Sequence, residues 1–503
     1  MLSNLGDYWR PTLYSILVFL LTTGFVLGGA PLTLGQIQET EFGIENFVTE
    51  YPLSSDGANA FAIFADPFGR IWFSQRNLAS IAYLDPMDGG IQEFAVPTDQ
   101  STLEIWSIYV NDNNEVWFTD ATEHKIRMLD LKTGIIIDHL IPSVNATPWD
   151  IKGDHDGNLW FTEFGDANNL AKIIPGELEP GTQKGIIEYQ IPTPLSRPSY
   201  IEIDESGKVW FVESGPGKIA KFDPETETFT EYTLPGEGVG GGTVNPIGLS
   251  IDKDGKIWYT QFRTSIIGRL DPISGEVTEY ATGALTSGTF GMTKDSTGDI
   301  WTIQFRADRV VRISPEDLKI WEYKIPSNRS FAQTITSDNL GNVWFIERDN
   351  DKIGVIDGSK SIPFTVEIDS RTLTLPGGGH ETLDLLVTSN GNNVGEVFLI
   401  ARGNTRVTGF LSEILVTFSP ERFFLDGSNE SHSEIDITLG ENLEPKTYQI
   451  TLGASDLKLE LYAGLFVELG VREQSSLDLG IIALVGAGLA LLLVIIAIIR
   501  SRR

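Results

Sequence analysis

Hydrophobic and polar residues alternate along this chain in short runs closed by Gly, Pro, Asp or Asn. A period of two over so few residues predicts strands. Between Pro198 and Pro235 four runs follow one another: SYIEID, KVWFVE, KIAKFD and FTEYTLP. They are rich in β-branched and aromatic residues and separated by turn formers. The second run of the unit carries a tryptophan that recurs at Trp72, Trp117, Trp160, Trp210, Trp258, Trp301 and Trp344, spaced by 45, 43, 50, 48, 43 and 43 residues. A repeat in the forties built of four short strands predicts a seven-bladed β-propeller over residues 37–361. The seventh unit has only three runs. An orphan run, NFVTEYPL at 46–53, is expected to complete it and close the ring, which leaves no open sheet edge.

After Asp357 the tryptophan unit stops but alternation continues through FTVEID, ETLDLLVTS, GEVFLIARG, ILVTFSP, SEIDITLG, KTYQITLGAS, LKLELYAG and LFVELGV. This pattern predicts an immunoglobulin-like β-sandwich over 362–472, read as a spacer. A linker at 473–476 leads to residues 477–499, apolar on all faces except for Asp478. That run is long enough to cross a hydrocarbon core of about 30 Å as a helix. The expected fold class is therefore all-β, a propeller followed by a sandwich, with one C-terminal transmembrane helix. The basic tail at 500–503 is expected to be cytoplasmic, which places the propeller and sandwich on the extracellular side of a cell membrane. Residues 1–36 read as a signal peptide, or else as an uncleaved hydrophobic anchor.

The formal charge of −32 argues against nucleic acid as a partner, because phosphates would be repelled. The chain has no cysteine, so disulfides, thiolate metal sites and cysteine nucleophiles are excluded. Sequons stand at Asn145, Asn328 and Asn429.

Propellers bind ligands at the end of the central channel. The first two runs of each unit form a hairpin, and pairing the residue eleven before the tryptophan with the one three after it sends two sets of residues to that mouth. The first set is Phe61, Trp106, Trp149, Ser199, Ile247, Phe290 and Gln333. The second is Gln75, Asp120, Glu163, Glu213, Gln261, Gln304 and Glu347, with Arg76, Arg263, Arg306 and Arg348 close behind. Aromatic faces, carboxylates, amides and guanidiniums together suit a small molecule, glycan or peptide. The hard oxygens suit Mg²⁺ or Ca²⁺. Equally, the same groups can serve to satisfy one another, with no ligand at all.

The unit PSYIEIDESGKVWFVESGPGKIAKFDPETETFTEYTLP resembles a blade of the streptogramin B (virginiamycin B) lyase family, and the likeness runs over residues 45–357. The resemblance implies a seven-bladed propeller that opens a cyclic depsipeptide ester by elimination. It also implies Mg²⁺ at the mouth, a histidine base at the start of a first strand, and a last-blade glutamate that helps hold the metal. Carried over, the glutamate falls on Glu347 or its neighbour Arg348, the base on Gln333 and a second histidine on Phe290. An amide cannot take up a proton near neutral pH. His124, His139, His155, His380 and His432 lie elsewhere and do not restore a base. The leading expectation is a ligand-binding propeller. The rivals are a metal-dependent C–O lyase using Glu347 and a scaffold among cell-envelope proteins.

Overall fold

The computed structural model describes residues 47–472, apart from 237–243, 263, 265, 283–287, 361, 392–393, 404–412, 428, 442, 444–446 and 457–460. Strands dominate, joined by three 3₁₀ helices at Arg76–Leu78, Pro175–Glu177 and Arg348–Asn350. No helix among the described residues is long and apolar enough to cross a membrane. The expected fold class, which included a transmembrane helix, is thus corrected to all-β over the described residues, with no membrane-crossing helix among them. The segment expected to span, 477–499, lies outside the described residues, as do 1–36, 473–476 and 500–503.

Each tryptophan unit folds into an antiparallel four-stranded sheet. Blade 4, for example, runs through Pro198–Ile203, Val209–Glu213, Lys218–Asp223 and Thr228–Thr233. The seventh blade takes its outer strand from Val48–Pro52, paired with Lys352–Ile356 from Val48↔Ile356 to Pro52↔Lys352. All seven tryptophans are buried. In six blades the indole Nε1 donates to the aspartate six residues earlier, at 2.7 to 2.9 Å, as in Trp258 to Asp252 and Trp301 to Asp295. The other oxygen of that aspartate accepts the backbone N–H groups of the hairpin turn, as Asp252 does from Asp254 and Lys256 at 2.9 Å. One carboxylate therefore shapes the turn and satisfies a buried donor. In blade 2 the position is Asn111. Its Oδ1 still serves the turn, but its Nδ2 donates to Glu115 at 2.7 Å. A donor cannot receive another donor, so Trp117 Nε1 has no acceptor among the described residues, and its ring stacks on His139 at 5.5 Å.

The first strands of five blades carry a β-bulge. In blade 1 the register passes from Ala60↔Gln75 to Ile63↔Phe73, and the same shift occurs after Pro148, Pro198, Pro246 and Thr289. In blades 1, 3 and 5 a hydroxyl two residues after the tryptophan fills the gap. Thr260 Oγ1 accepts from Gly248 N at 2.8 Å and donates to Phe290 O of the next blade at 2.6 Å. Ser74 likewise joins Ala62 to Ile105. Thr162 joins Asp150 to Ser199. Thr334 closes the circle by donating to Phe61 O. The space opened by these bulges is thus used to bond blade to blade around the channel.

Residues 364–472 form two facing sheets. One is ordered Phe364–Ile368, His380–Ser389, Glu430–Leu439, Ile414–Ser419. The other is not closed within the sandwich. Its longest strand, Leu461–Arg472, pairs at its start with the outer strand of blade 6, Lys319–Lys324, from Tyr323↔Leu461 to Lys319↔Leu465. Its end pairs with Thr372–Pro376 in parallel. Blade 6 and the sandwich are therefore one nine-stranded sheet, where a separate spacer was expected. The sequence of the blade 6 strand, KIWEYK, explains the choice. Ile320, Trp321 and Tyr323 are all buried, whereas the outer strand of blade 1 alternates between half-buried and exposed.

Two outcomes follow. The chain should unfold calorimetrically in one transition, and removal of residues 362–503 should yield an aggregating propeller with Trp321 exposed; two independent transitions would contradict a shared sheet. Asp252→Asn should cost about 1–3 kcal/mol, because it leaves a buried donor facing a donor; denaturant unfolding of the variant measures this.

Candidate functional site

Side chains alternate along a strand, so the bulge decides which ones face the channel. The residue three after the tryptophan pairs with the residue twelve before it, not eleven. The two sets predicted to share the mouth therefore lie on opposite faces.

Gln75, Asp120, Glu163, Glu213, Gln261, Gln304 and Glu347 are all fully buried inside their blades. Most meet an acid of the blade's fourth strand or its counter-ion. Gln261 donates to Glu279 at 2.7 Å and Gln75 to Glu93 at 3.3 Å. Asp120 pairs with the buried Arg127 at 2.9 Å. Glu163 accepts from Asn169 at 3.0 Å and lies near Glu188. Glu213 lies beside Glu231, and Glu347 beside Glu50. Gln304's amide has no partner among the described residues. Burial first, and a neighbouring carboxylate second, push Glu163 and Glu213 up to about 8 and Glu347 up to about 7. The fourth-strand acids are held by Lys218 and Thr193 at Glu231, and by Lys352 and Ser327 at Glu50. They fasten each blade to the segment that enters it. Asp150, on the other face, is also buried, accepting from Ser107 Oγ at 2.5 Å and Ile201 N at 3.0 Å and so tying three blades together.

The mouth is built by the residue eleven before the tryptophan and the residue four after it. Trp149 meets Phe164 at 4.8 Å, and Phe290 meets Phe305 at 6.4 Å. Ser199 and Ser214 share a hydrogen bond of 3.0 Å. Arg348 Nη1 donates to Gln333 Oε1 at 3.0 Å. Between blades, Trp106 packs on Trp149 at 4.4 Å, Tyr200 lies between Trp149 and Phe290, and Phe262 stacks on Phe305. Phe61 meets Phe290 across the channel at 6.2 Å. These rings close the channel and leave Trp106, Trp149, Phe164, Tyr200 and Phe61 half-buried as a platform. Trp149 Nε1 is buried with no acceptor among the described residues. Phe164, Phe262 and Phe305 were not anticipated, although the spacing of four after the tryptophan is visible in the sequence.

The mouth is asymmetric. Blades 1 to 6 supply rings, and blades 7 and 1 add Gln333, Arg348 and Arg76. Arg348 lies over Phe331 at 4.4 Å, and the exposed Arg306 over Phe305 at 5.2 Å. Arg263 lies outside the described residues. Where the resemblance implied a base and a metal-holding carboxylate, the mouth presents an amide oxygen bonded to a guanidinium, while Glu347 turns into the blade toward Lys352. An amide already bonded to a fixed cation does not suit a hard divalent cation. No group of three acidic or histidine side chains among the described residues has metal-holding geometry. His124 accepts from Thr147 N at 3.1 Å, His139 is buried against Trp117, and neither reaches the mouth.

The carboxyl pairs have a pH consequence. A carboxyl raised in the folded state stabilises it fully below its ordinary value of 4.5, and that stability is lost as pH rises through the folded value. Melting temperature should therefore fall between about pH 5 and 8. Glu213→Gln should be more stable than the parent at pH 8.5 and show a shallower fall; an unchanged slope would remove Glu213 as a source.

The model of the virginiamycin B lyase family matches residues 35–242 and 239–370. The virginiamycin B lyase of Staphylococcus aureus superposes with a TM-score of 0.54 at 25% identity, over 61% of this chain and 98% of that one. A streptogramin B lyase structure gives 0.54 and 26%, over 61% and 96%. A catalytically inactive histidine-to-alanine variant of the S. aureus enzyme with quinupristin gives 0.54 and 25%, again over 61% and 98%. No curated protein matches.

Proposed function

Because this chain belongs to the virginiamycin B lyase family, we propose that it is a lyase-like propeller whose aromatic mouth binds a small molecule, glycan or peptide without the family's elimination chemistry. The observation that carries this reading is the Gln333–Arg348 bond of 3.0 Å at the base position. Elimination from an ester needs a group that removes a proton next to the carbonyl. A neutral amide, with its oxygen already engaged by a guanidinium, does not do this near neutral pH. The binding half of the task remains supported. Half-buried rings offer apolar surface, and Trp149 Nε1 offers an unmet donor. The S. aureus enzyme inactivated at a single histidine, described with quinupristin, supports the idea that this scaffold holds ligand without turnover.

Family membership favours one rival, a metal-dependent C–O lyase that opens cyclic esters with Glu347. The two readings separate in one experiment. The full chain is incubated with quinupristin in Mg²⁺ or in EDTA, with chromatography following the linear product, since elimination leaves the mass unchanged. Tryptophan fluorescence follows binding. We expect no ring opening in either buffer, and binding indifferent to EDTA and weakened at least about tenfold by Trp149→Ala, as for loss of a buried aromatic contact. Metal-dependent opening that Glu347→Gln abolishes would establish the lyase instead.

A further inference from the structure

Between blades 7 and 1 the mouth opens into a pocket of about 430 Å³ lined by Gly57, Asn59, Arg76, Asn77, Arg348, Asp349 and Asp351. Resting on the reading that the mouth binds ligand, we propose that this pocket takes the carboxylate of an aromatic acid or peptide, held between the guanidiniums of Arg76 and Arg348.

Both arginines open matching 3₁₀ turns, Arg76–Leu78 and Arg348–Asn350, which end in left-handed residues, Ala79 at φ 45° and Asp351 at φ 49°. The repeat thus presents the same cation from two adjacent blades. Each guanidinium already pairs with one carboxylate, Arg76 with Glu104 and Arg348 with Asp349, and keeps further N–H groups. Arg76 Nη2 pairs with Glu104 at 2.5 Å, but its Nε is buried without a partner among the described residues. Arg348 is oriented by Gln333, by Asp349 at 3.3 Å and by the face of Phe331, through Nη1, Nε and the ring plane. Of the two lining carboxylates, Asp351 is consumed, accepting from Gly57 N at 2.6 Å and Asn59 N at 3.3 Å. Asn77 Nδ2 donates to Gly57 O at 2.8 Å, so the pocket's rim is fixed. A ligand carboxylate can accept from the N–H groups that each guanidinium keeps on its pocket side, as a charge-assisted pair. The aromatic platform adjoins through Phe61, which shares the mouth face of blade 1 with Arg76. Arg348 is one of the two positions on which the family resemblance placed a metal-holding glutamate, so a fixed cation stands beside that place.

The test uses isothermal titration of the full chain, in EDTA, with phenylacetate and its neutral isostere phenylacetamide. Phenylacetate should bind at least about tenfold tighter, the range expected for a charged hydrogen bond. Arg76→Gln and Arg348→Gln should each remove that preference, and Arg76→Lys should recover it only in part, because an ammonium lacks the planar fork. Thermal melting confirms that each variant is folded. Equal affinity for the two probes, or a carboxylate preference that survives both Gln variants, would overturn the assignment, and so would a preference that appears only with Mg²⁺. If phenylacetamide binds as well as phenylacetate, and Trp149→Ala weakens it, the carboxylate pocket fails while the binding mouth stands. If neither probe binds and quinupristin does not quench the tryptophans, both fail.

Discussion

The mouth of this propeller depends on one inserted residue. A bulge at the start of the first strand adds a residue that the second strand does not match, and in blades 1, 3 and 5 the slack is taken up by a serine or threonine hydroxyl that bonds its own blade and the next. Because strand side chains alternate, that single residue exchanges the two faces of the strand end. The amides and carboxylates three after the tryptophan go into the blades, and the residues four after it go to the channel. Remove the bulge and the residues eleven before the tryptophan, Trp149 and Phe290 among them, would turn off the channel face, while the second strand kept its carboxylates in the blade.

This is also where reading the sequence succeeded and where it failed. The tryptophan period made the propeller legible, and the reason is now physical. Each tryptophan needs an aspartate six residues before it, and that aspartate forms the turn, so three features repeat together or not at all. Asn111 is the exception, and it shows the rule by leaving Trp117 without an acceptor. The mouth was legible only in part. Trp106, Trp149, Phe290 and Gln333 lie there, but Asp120, Glu163, Glu213, Gln261, Gln304 and Glu347 do not. A bulge has no residue signature strong enough to be seen in one sequence, and a one-residue error in register inverts the assignment for a whole ring of side chains. The sheet shared by blade 6 and the sandwich was written in KIWEYK, an outer strand too apolar for solvent, but its partner lies some 140 residues away (Tyr323 beside Leu461) and no local pattern names it.

The two rings of polar groups now have separate work. The inner ring of buried acids and amides joins strands and linkers and carries the protein's response to acidity. The outer ring is aromatic over blades 1 to 6 and carries arginines, paired with carboxylates, where blade 7 meets blade 1. In a chain of charge −32 the junction sets two arginines among Glu104, Asp349 and Asp351, so that the guanidiniums act there as fixed donors within an ion-pair cluster.

The backbone ladder between Lys319–Lys324 and Leu461–Arg472 also has a mechanical meaning. A load on the sandwich enters the ring through a row of peptide hydrogen bonds, not through a loose tether, and it enters at blade 6, whose inner strand carries Phe290 to the centre of the channel. From Phe290 contacts run to Phe61, Tyr200 and Phe262. Tension or torque on the sandwich is therefore delivered along one sheet to the rings that floor the binding mouth, so that the two parts of the molecule behave as lever and bearing.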